Sequence, residues 1–263
     1  MHFQFRLAAA PVVTFASAIL WALACGAATP NERYVSQVYA DLLGRTPSGG
    51  ELSGFVVPLD NLTLSRAAFV SAMVGSPEFC DDKTSSFFSL LLHRSSTPAE
   101  RTGFDSLLQG GATFEQVEGI FAGSPEYFTN RGGSTNDGFL DAAFSDFLAR
   151  AILPGERSGY NSALTGGTTR QQVADSILGS VEYRSDMVGR NFSTFLRRNP
   201  SPLETSGFVG SGLDDRSVVK SILASNEYYD LAQSIPEPAA ASAGLVLLLS
   251  ACVRRRRPTH RGA

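Results

Sequence analysis

The chain has 263 residues, of which 43% are apolar and 18% charged, enough for one large domain or two small ones. Of its three histidines only His93 lies away from the chain ends, which excludes a histidine-rich metal site. Of its three cysteines only Cys80 does, so a disulfide framework is excluded as well.

The first 28 residues have the three parts of a secretory signal peptide. Arg6 precedes an apolar stretch from Leu7 to about Cys25, and small residues follow before Thr29. We therefore predict a signal peptide over residues 1–28, the alternative being a buried N-terminal helix. The residues before Cys25 also hint at a lipoprotein cleavage box.

The C-terminal segment combines a Pro-Glu-Pro triplet, an apolar stretch of 15 residues (239–253) and four arginines. At ~1.5 Å per residue that stretch reaches ~22 Å as a helix, short of the ~30 Å hydrocarbon core of a bilayer. Residues 235–258 resemble the PEP-CTERM sorting signal of Gram-negative bacteria, which implies a transmembrane segment at 239–253 and transient recognition by an exosortase-type membrane protease. The resemblance is carried by Pro236, Glu237, Pro238, Arg254, Arg255, Arg256 and Arg257.

The charge between the two terminal segments is acidic. All 25 Asp and Glu lie between residues 26 and 238, against 16 of the 22 Lys and Arg, which gives this part of the chain a formal charge of −9. Nucleic acids and anionic lipids attract basic surfaces. We therefore expect no nucleic-acid partner.

Two short motifs alternate four times along the body. The first, Glu-x-(Ser/Thr)-Gly-(Phe/Tyr), begins at Glu51, Glu100, Glu156 and Glu204. The second, Ser-x-Glu-(Phe/Tyr), begins at Ser76, Ser124, Ser180 and Ser225. Apolar residues at helical spacing accompany each pair, and no alternation of period two is present. We therefore predict an all-α fold of four tandem helical repeats (residues 30–83, 84–133, 136–188 and 189–233), each with about three short helices.

The first repeat resembles the bacterial family called domain of unknown function 4214. The similarity runs from Tyr34 to Phe79 and includes Leu-Gly-Arg at residues 43–45 and Gly-Ser-Pro-Glu-Phe at residues 75–79. Repeats two to four replace the Leu-Gly-Arg sequence but keep the other features. The resemblance implies small all-helical modules on exported or surface proteins, and it implies no reaction.

The repeated glutamates have two interpretations. Four acids in register suit acid–base chemistry or calcium, but Thr97-Pro98-Ala99-Glu100 and Ser201-Pro202-Leu203-Glu204 are capping boxes at helix starts. We interpret the acids as helix-start residues, with Leu153 breaking the cap of the third repeat and leaving Glu156 without its partner. The motif glycines predict close helix crossings, because a glycine inside a helix costs ~1 kcal/mol relative to alanine. These glycines are Gly54, Gly103, Gly159 and Gly207.

The sequence contains no Gly-rich phosphate loop, CxxC pair, HExxH or Gly-x-Ser-x-Gly motif. We expect no catalytic residue, cofactor or metal, and interpret His93 as solvent-facing or structural and Cys80 as a small buried hydrophobe. The predicted function is a non-enzymatic surface or extracellular-matrix protein with a scaffolding or binding role, exported across the inner membrane and anchored there before processing. Extracellular polysaccharide or surface proteins are its expected partners. The alternatives are a carboxylate-based hydrolase or accessory protein acting on extracellular polysaccharide, and a calcium-stabilised adhesive module.

Overall fold

The computed structural model describes residues 28–235. The predicted signal peptide, apart from residue 28, and nearly all of the predicted sorting segment lie outside this range. Residues 28–235 form fourteen α-helices and one π-helical segment, with no strand, which confirms the all-α prediction. The helices are α1 Pro30–Leu43, α2 Gly49–Asp60, α3 Arg66–Val74, α4 Pro77–Leu91, α5 Pro98–Gln109, α6 Phe114–Gly123, α7 Pro125–Asn130, α8 Asn136–Leu148, α9 Pro154–Thr165, α10 Arg170–Leu178, α11 Val181–Asn191, α12 Pro202–Ser211, α13 Asp215–Leu223 and α14 Asn226–Ser234, with the π-helical segment at Phe192–Leu196.

The helix starts follow from capping residues. Thirteen of the fourteen helices have a Ser, Thr or Asp N-cap whose side chain accepts a backbone N–H of the first turn. The exception is α9, which begins after Leu153. The serine of each Ser-x-Glu motif is such a cap. The N-caps of α3, α6, α10 and α13 are Ser65, Thr113, Thr169 and Asp214.

A sequence of three helices recurs along the chain, in the sets α1–α3, α4–α6, α8–α10 and α11–α13, the last with the π-helical segment. At two of the three boundaries between sets, a single helix spans the predicted boundary. The predicted boundary between residues 83 and 84 falls inside α4, and the one between 188 and 189 falls inside α11. Both helices begin at a Ser-x-Glu motif and continue as the first helix of the next set without a break. The boundary near residue 133 does fall between two helices, α7 and α8.

The helices divide into an inner and an outer group. The inner helices α3, α6, α10 and α13 pack against one another across the body, with α6 against both α10 and α13, and α3 against α13. The outer helices α2, α5, α9 and α12 pack mainly against the helices adjacent to them in sequence. Repeats of this kind commonly contact only their sequence neighbours. Here the first and last sets also meet.

This closing contact joins α14 to α1. The Tyr228 hydroxyl donates to Asp41 Oδ2 at 2.7 Å, and the Tyr34 hydroxyl donates to the Leu223 carbonyl at 3.1 Å. The Gln233 side-chain amide donates to the Pro30 carbonyl at 3.1 Å. Tyr34 and Tyr228 are fully buried, and their rings meet edge to face with centroids 6.1 Å apart. Aromatic burial therefore holds the two ends of the helical body together.

Candidate functional site

The most regular polar feature is a cluster that occurs four times, each time after a left-handed residue. The first helix of each set ends in a residue with positive φ, at Gly44 (63°), His93 (53°), Ala149 (51°) and Arg197 (58°). Glycine adopts this conformation without strain, and other residues do so at a cost of roughly 1 kcal/mol or more. The Leu-Gly-Arg sequence is thus lost in three sets while its backbone shape is kept. In all four sets the next residue is an arginine.

In the first set Arg45 bridges two glutamates from different helices. Its Nε and Nη2 donate to the two carboxylate oxygens of Glu78 at 2.5 and 2.6 Å, and Nη2 and Nη1 donate to those of Glu51 at 2.7 and 3.1 Å. Nη1 also reaches the Thr46 carbonyl at 3.2 Å, and the guanidinium lies 5.1 Å from the Tyr39 ring centroid. A planar guanidinium satisfies two carboxylates in this way, whereas an ammonium would not.

The other three sets repeat this arrangement. Arg94, Arg150 and Arg198 lie 4.9 to 5.0 Å from an aromatic ring centroid. Each binds the glutamate of both motifs, with the shortest bonds between 2.5 and 2.8 Å. We call these four arrangements the Arg–Glu–Glu clusters. Their members are Arg45/Glu51/Glu78, Arg94/Glu100/Glu126, Arg150/Glu156/Glu182 and Arg198/Glu204/Glu227.

The first glutamate of each cluster also caps its outer helix. Glu51 Oε2 accepts the Ser48 backbone N–H at 2.7 Å, completing a capping box. The prediction that Leu153 would leave Glu156 without a partner is wrong in part. The Leu153 side chain has no acceptor, but Glu156 Oε2 accepts the Leu153 N–H at 2.9 Å and keeps half of the box. Arg150 supplies its remaining partners.

These contacts hold the cluster acids in the ionised form. The arginine, followed by the N-cap residue, lowers the pKa of Glu51, Glu100 and Glu204 to about 2, and Arg150 does the same for Glu156. The same arginines lower the pKa of the second glutamate in every cluster. An acid held this way is a poor proton donor near neutral pH.

The expected crossings at the motif glycines are wrong. A Cβ built on Gly54, Gly103, Gly159 or Gly207 would meet nothing within 4 Å. The close crossing lies instead in the inner helices, where a Cβ on Gly119 would lie 2.0 Å from Asp175 Oδ1 and one on Gly123 would lie 2.6 Å from Gln171 Cβ. These two glycines, one helical turn apart, allow α6 and α10 to approach closely.

A second group of acids lies between the inner helices and occurs once. The Asp215 backbone N–H donates to Glu115 Oε1 at 2.7 Å, and Asn191 Nδ2 donates to Asp215 Oδ1 at 2.6 Å. The Tyr183 hydroxyl donates to Glu118 Oε2 at 2.9 Å. We call Glu115, Glu118, Tyr183, Asn191 and Asp215, on α6, α11 and α13, the inner joint. Its members come from three helices and share no common motif, so no sequence pattern marks it.

A cleft of about 580 Å³ adjoins this joint. The apolar part of the cleft wall is formed by Leu107, Ile120 and Leu178. Two carboxylates also line the cleft, those of Glu115 and Asp175. Burial is the main cause that raises the pKa of both acids. The volume of the cleft lies in the range of small-molecule binding sites, roughly 300–1,000 Å³.

The residues singled out beforehand fall in different places. His93 is exposed and Cys80 is buried, as expected. The predicted sorting residues, Pro236 to Pro238 and Arg254 to Arg257, lie outside the described residues. Among residues 28–235, no group of three or more His, Cys, Asp or Glu could hold a metal ion. No helix in that part of the chain is long and apolar enough to cross a membrane.

Comparison with known proteins matches part of the chain to a family model. The model of a family described as "Domain of unknown function (DUF4214)" matches residues 15–82, which contain the first Arg–Glu–Glu cluster. This part of the chain is therefore similar to that family. No curated protein and no solved structure matches the chain.

Proposed function

We propose that this chain is an exported, non-enzymatic surface or extracellular-matrix protein with a scaffolding or binding role. The observation that supports the proposal is the fourfold Arg–Glu–Glu cluster. The repeated acids lie at separate helix starts, and each one is bonded to an arginine. Side chains used in this way stabilise a rigid body and are not free to transfer protons. The repetition therefore serves shape, which is what a scaffold or binding module requires.

The sequence outside the described residues supports the route of export. A signal peptide over residues 1–28 would take the chain across the inner membrane. The Pro-Glu-Pro triplet, the apolar stretch 239–253 and Arg254–Arg257 would hold it there until an exosortase-type protease cuts the tail. The body would then continue to the cell surface or the extracellular matrix, where polysaccharide or surface proteins are its expected partners.

Mass spectrometry of both ends of the released protein tests the export route. We expect the mature protein to lack Arg254–Arg257. Replacing all three residues of the triplet by alanine should trap full-length protein in the inner membrane, because the protease reads the triplet. A permanent anchor depends only on apolar length and flanking charge, so its localisation would not change. Pro258→Ala, beyond the arginines, is the matched control.

A hydrolase acting on extracellular polysaccharide is the alternative, and the cleft beside the inner joint is the observation that favours it. Glu115 and Asp175 line this cleft, and the raised pKa of each suits a general acid better than the lowered values in the clusters. The test is release of reducing ends from polysaccharide of the producing cells. If the wild-type protein releases reducing ends and neither Glu115→Gln nor Asp175→Asn does, the result would favour the hydrolase over the scaffold.

A further inference from the structure

Glu118 is the acid on which three helices of the inner joint converge. It lies on α6 beside the buried Val117, and its Oε2 accepts the hydroxyl of Tyr183 from α11 at 2.9 Å. Tyr183 is only 3% exposed and Glu118 is half-buried, so the contact is largely shielded from solvent. The Arg–Glu–Glu clusters offer each acid a guanidinium, whereas the hydrogen bond that Glu118 receives comes from a neutral hydroxyl.

The charges that face Glu118 are mostly negative. Glu115 lies one turn before Glu118 on α6, and Asp215 acts on Glu118 from α13. Lys83, from α4, is the cation that acts on it, and its Nζ lies over the Phe114 ring, 4.4 Å from the centroid. Helix α10, which also packs against α6, places another acid, Asp175, against Gly119. An ionised Glu118 therefore adds to an excess of negative charge.

The same acids tie the helices together. The Asp215 backbone N–H bonds Glu115, which joins α13 to α6, and Asn191 bonds the Asp215 side chain, which joins α11 to α13. A charge that repels Glu115 and Asp215 acts directly on these links. The carboxylate oxygen Glu115 Oε2 is already buried without a hydrogen-bond partner in the described part of the chain. The joint thus has little capacity to absorb one more negative charge.

We propose that the inner joint is a proton-sensitive device: a proton on Glu118 holds α6, α11 and α13 together, and loss of that proton loosens them. The joint connects the second set of helices to the fourth, so its state sets the rigidity of the closed body. An acidic medium tightens the body, and a medium above neutral pH relaxes it.

The protonation behaviour of Glu118 places this change near neutral pH. Burial raises its pKa from 4.5 to about 7, with Asp215 and Glu115 adding to the rise and Lys83 and Tyr183 opposing it. The folded chain thus keeps a proton that the unfolded chain has released between pH 4.5 and 7. Stability from this group is complete below pH 4.5 and is lost as the pH rises through 7.

Urea unfolding of the full-length chain, with Glu118→Gln beside it, tests the proposal. Glutamine resembles the protonated acid, so the two chains should have the same unfolding midpoint at about pH 4 and diverge as the pH rises. By about pH 8.5 the folding equilibrium of the wild type should have fallen relative to the variant by on the order of a hundredfold, since each unit of pKa difference is tenfold. Asp186→Asn, exposed on α11, is the control and should follow the wild type.

A difference between the two chains that does not change with pH would overturn the proposal. If Glu118→Gln does not fold, carbon NMR of the Glu118 carboxyl in the wild type decides instead. A titration midpoint near 7 supports the proton-sensitive joint, and one below about 5 contradicts it.

Discussion

The Arg–Glu–Glu clusters and the inner joint place the same residue type in opposite situations. Glu100 and Glu118 both belong to the second set of helices, on α5 and α6. Arg94 lowers the pKa of Glu100 to about 2, and burial raises that of Glu118 to about 7. The difference teaches that neighbours decide the behaviour of these acids. The clusters at the outer helices are complete when their acids are ionised, above about pH 4.5, and the inner joint needs Glu118 protonated.

The inner helices are crowded at their glycines and the outer helices are not. Gly123→Ala, on the inner helix α6, should therefore have the largest effect on stability. The new Cβ would lie 2.6 Å from Gln171 Cβ and 3.1 Å from Gln171 Cα, so α6 and α10 must move apart. We expect a loss of about 2–3 kcal/mol in the free energy of unfolding, measured by urea denaturation. Gly159→Ala is the matched control, since its Cβ meets nothing within 4 Å. It should stabilise by up to about 1 kcal/mol, and a loss there would contradict the open outer helix.

Removing one guanidinium should have the next largest effect. In Arg150→Ala, Glu156 and Glu182 lose their shared partner and repel each other, while the Phe144 ring loses its cation. These side chains are 29–43% exposed, so solvent screens the charges, and we expect a loss of about 1–2 kcal/mol.

Arg150→Lys and Lys220→Ala provide the comparison in the same urea experiment. An ammonium cannot bond both carboxylates in the planar geometry, so Arg150→Lys should recover less than half of the loss. Lys220 forms no ion pair within residues 28–235, so its replacement should change little. A full recovery by lysine would show that the planar fork is unimportant.

The pH dependence of a cluster should run opposite to that of the joint. Because the pKa of Glu156 is lowered from 4.5 to about 2 in the folded chain, its stabilisation is present above pH 4.5 and is lost as the pH falls toward 2. Glu156→Gln should therefore be less stable than the wild type at neutral pH and equal to it near pH 2, as followed by acid titration of far-UV circular dichroism. A difference in stability between the two chains that grows as the pH falls would contradict the ion pairing of Glu156 with Arg150.

The left-handed residues should give the smallest effect, and its sign should differ between two sets. Ala149→Gly relieves a φ of 51° and should stabilise by about 0.5–1 kcal/mol. Gly44→Ala places a Cβ at a φ of 63° and should destabilise by a similar amount. Thermal unfolding of the two variants checks both directions. The same sign in both would mean that the conformation differs from one set to the other.

Local features of this fold could be predicted from the sequence, and contacts between helices could not. The capping box of Thr97 and Glu100 depends on residues three apart, so the pattern was sufficient. The bond of Arg94 to Glu126 spans 32 positions and was missed. One signal was available, since an arginine precedes the first-motif glutamate by six residues in every set.

The glycines show the same limit. Gly103 and Gly123 both break the helix-forming pattern, and only the second lies against a neighbouring helix. A glycine marks a position where a side chain is absent, but the sequence does not state what fills the space. No packing reason for Gly103 is found within the described part of the chain. No sequence pattern marks Glu118 for a related reason, because its neighbours Tyr183 and Asp215 come from other helices of the assembled body.

The bond between Gln233 and Pro30 also determines how the body responds to force. Residues 30 and 233 lie side by side, so the chain enters and leaves the helical body at one place. A pulling force applied to both ends acts first on the contacts of α14 with α1, which we expect to separate one after another. The force reaches the four Arg–Glu–Glu clusters only afterwards. A tether on either end therefore attaches to the body at the same place.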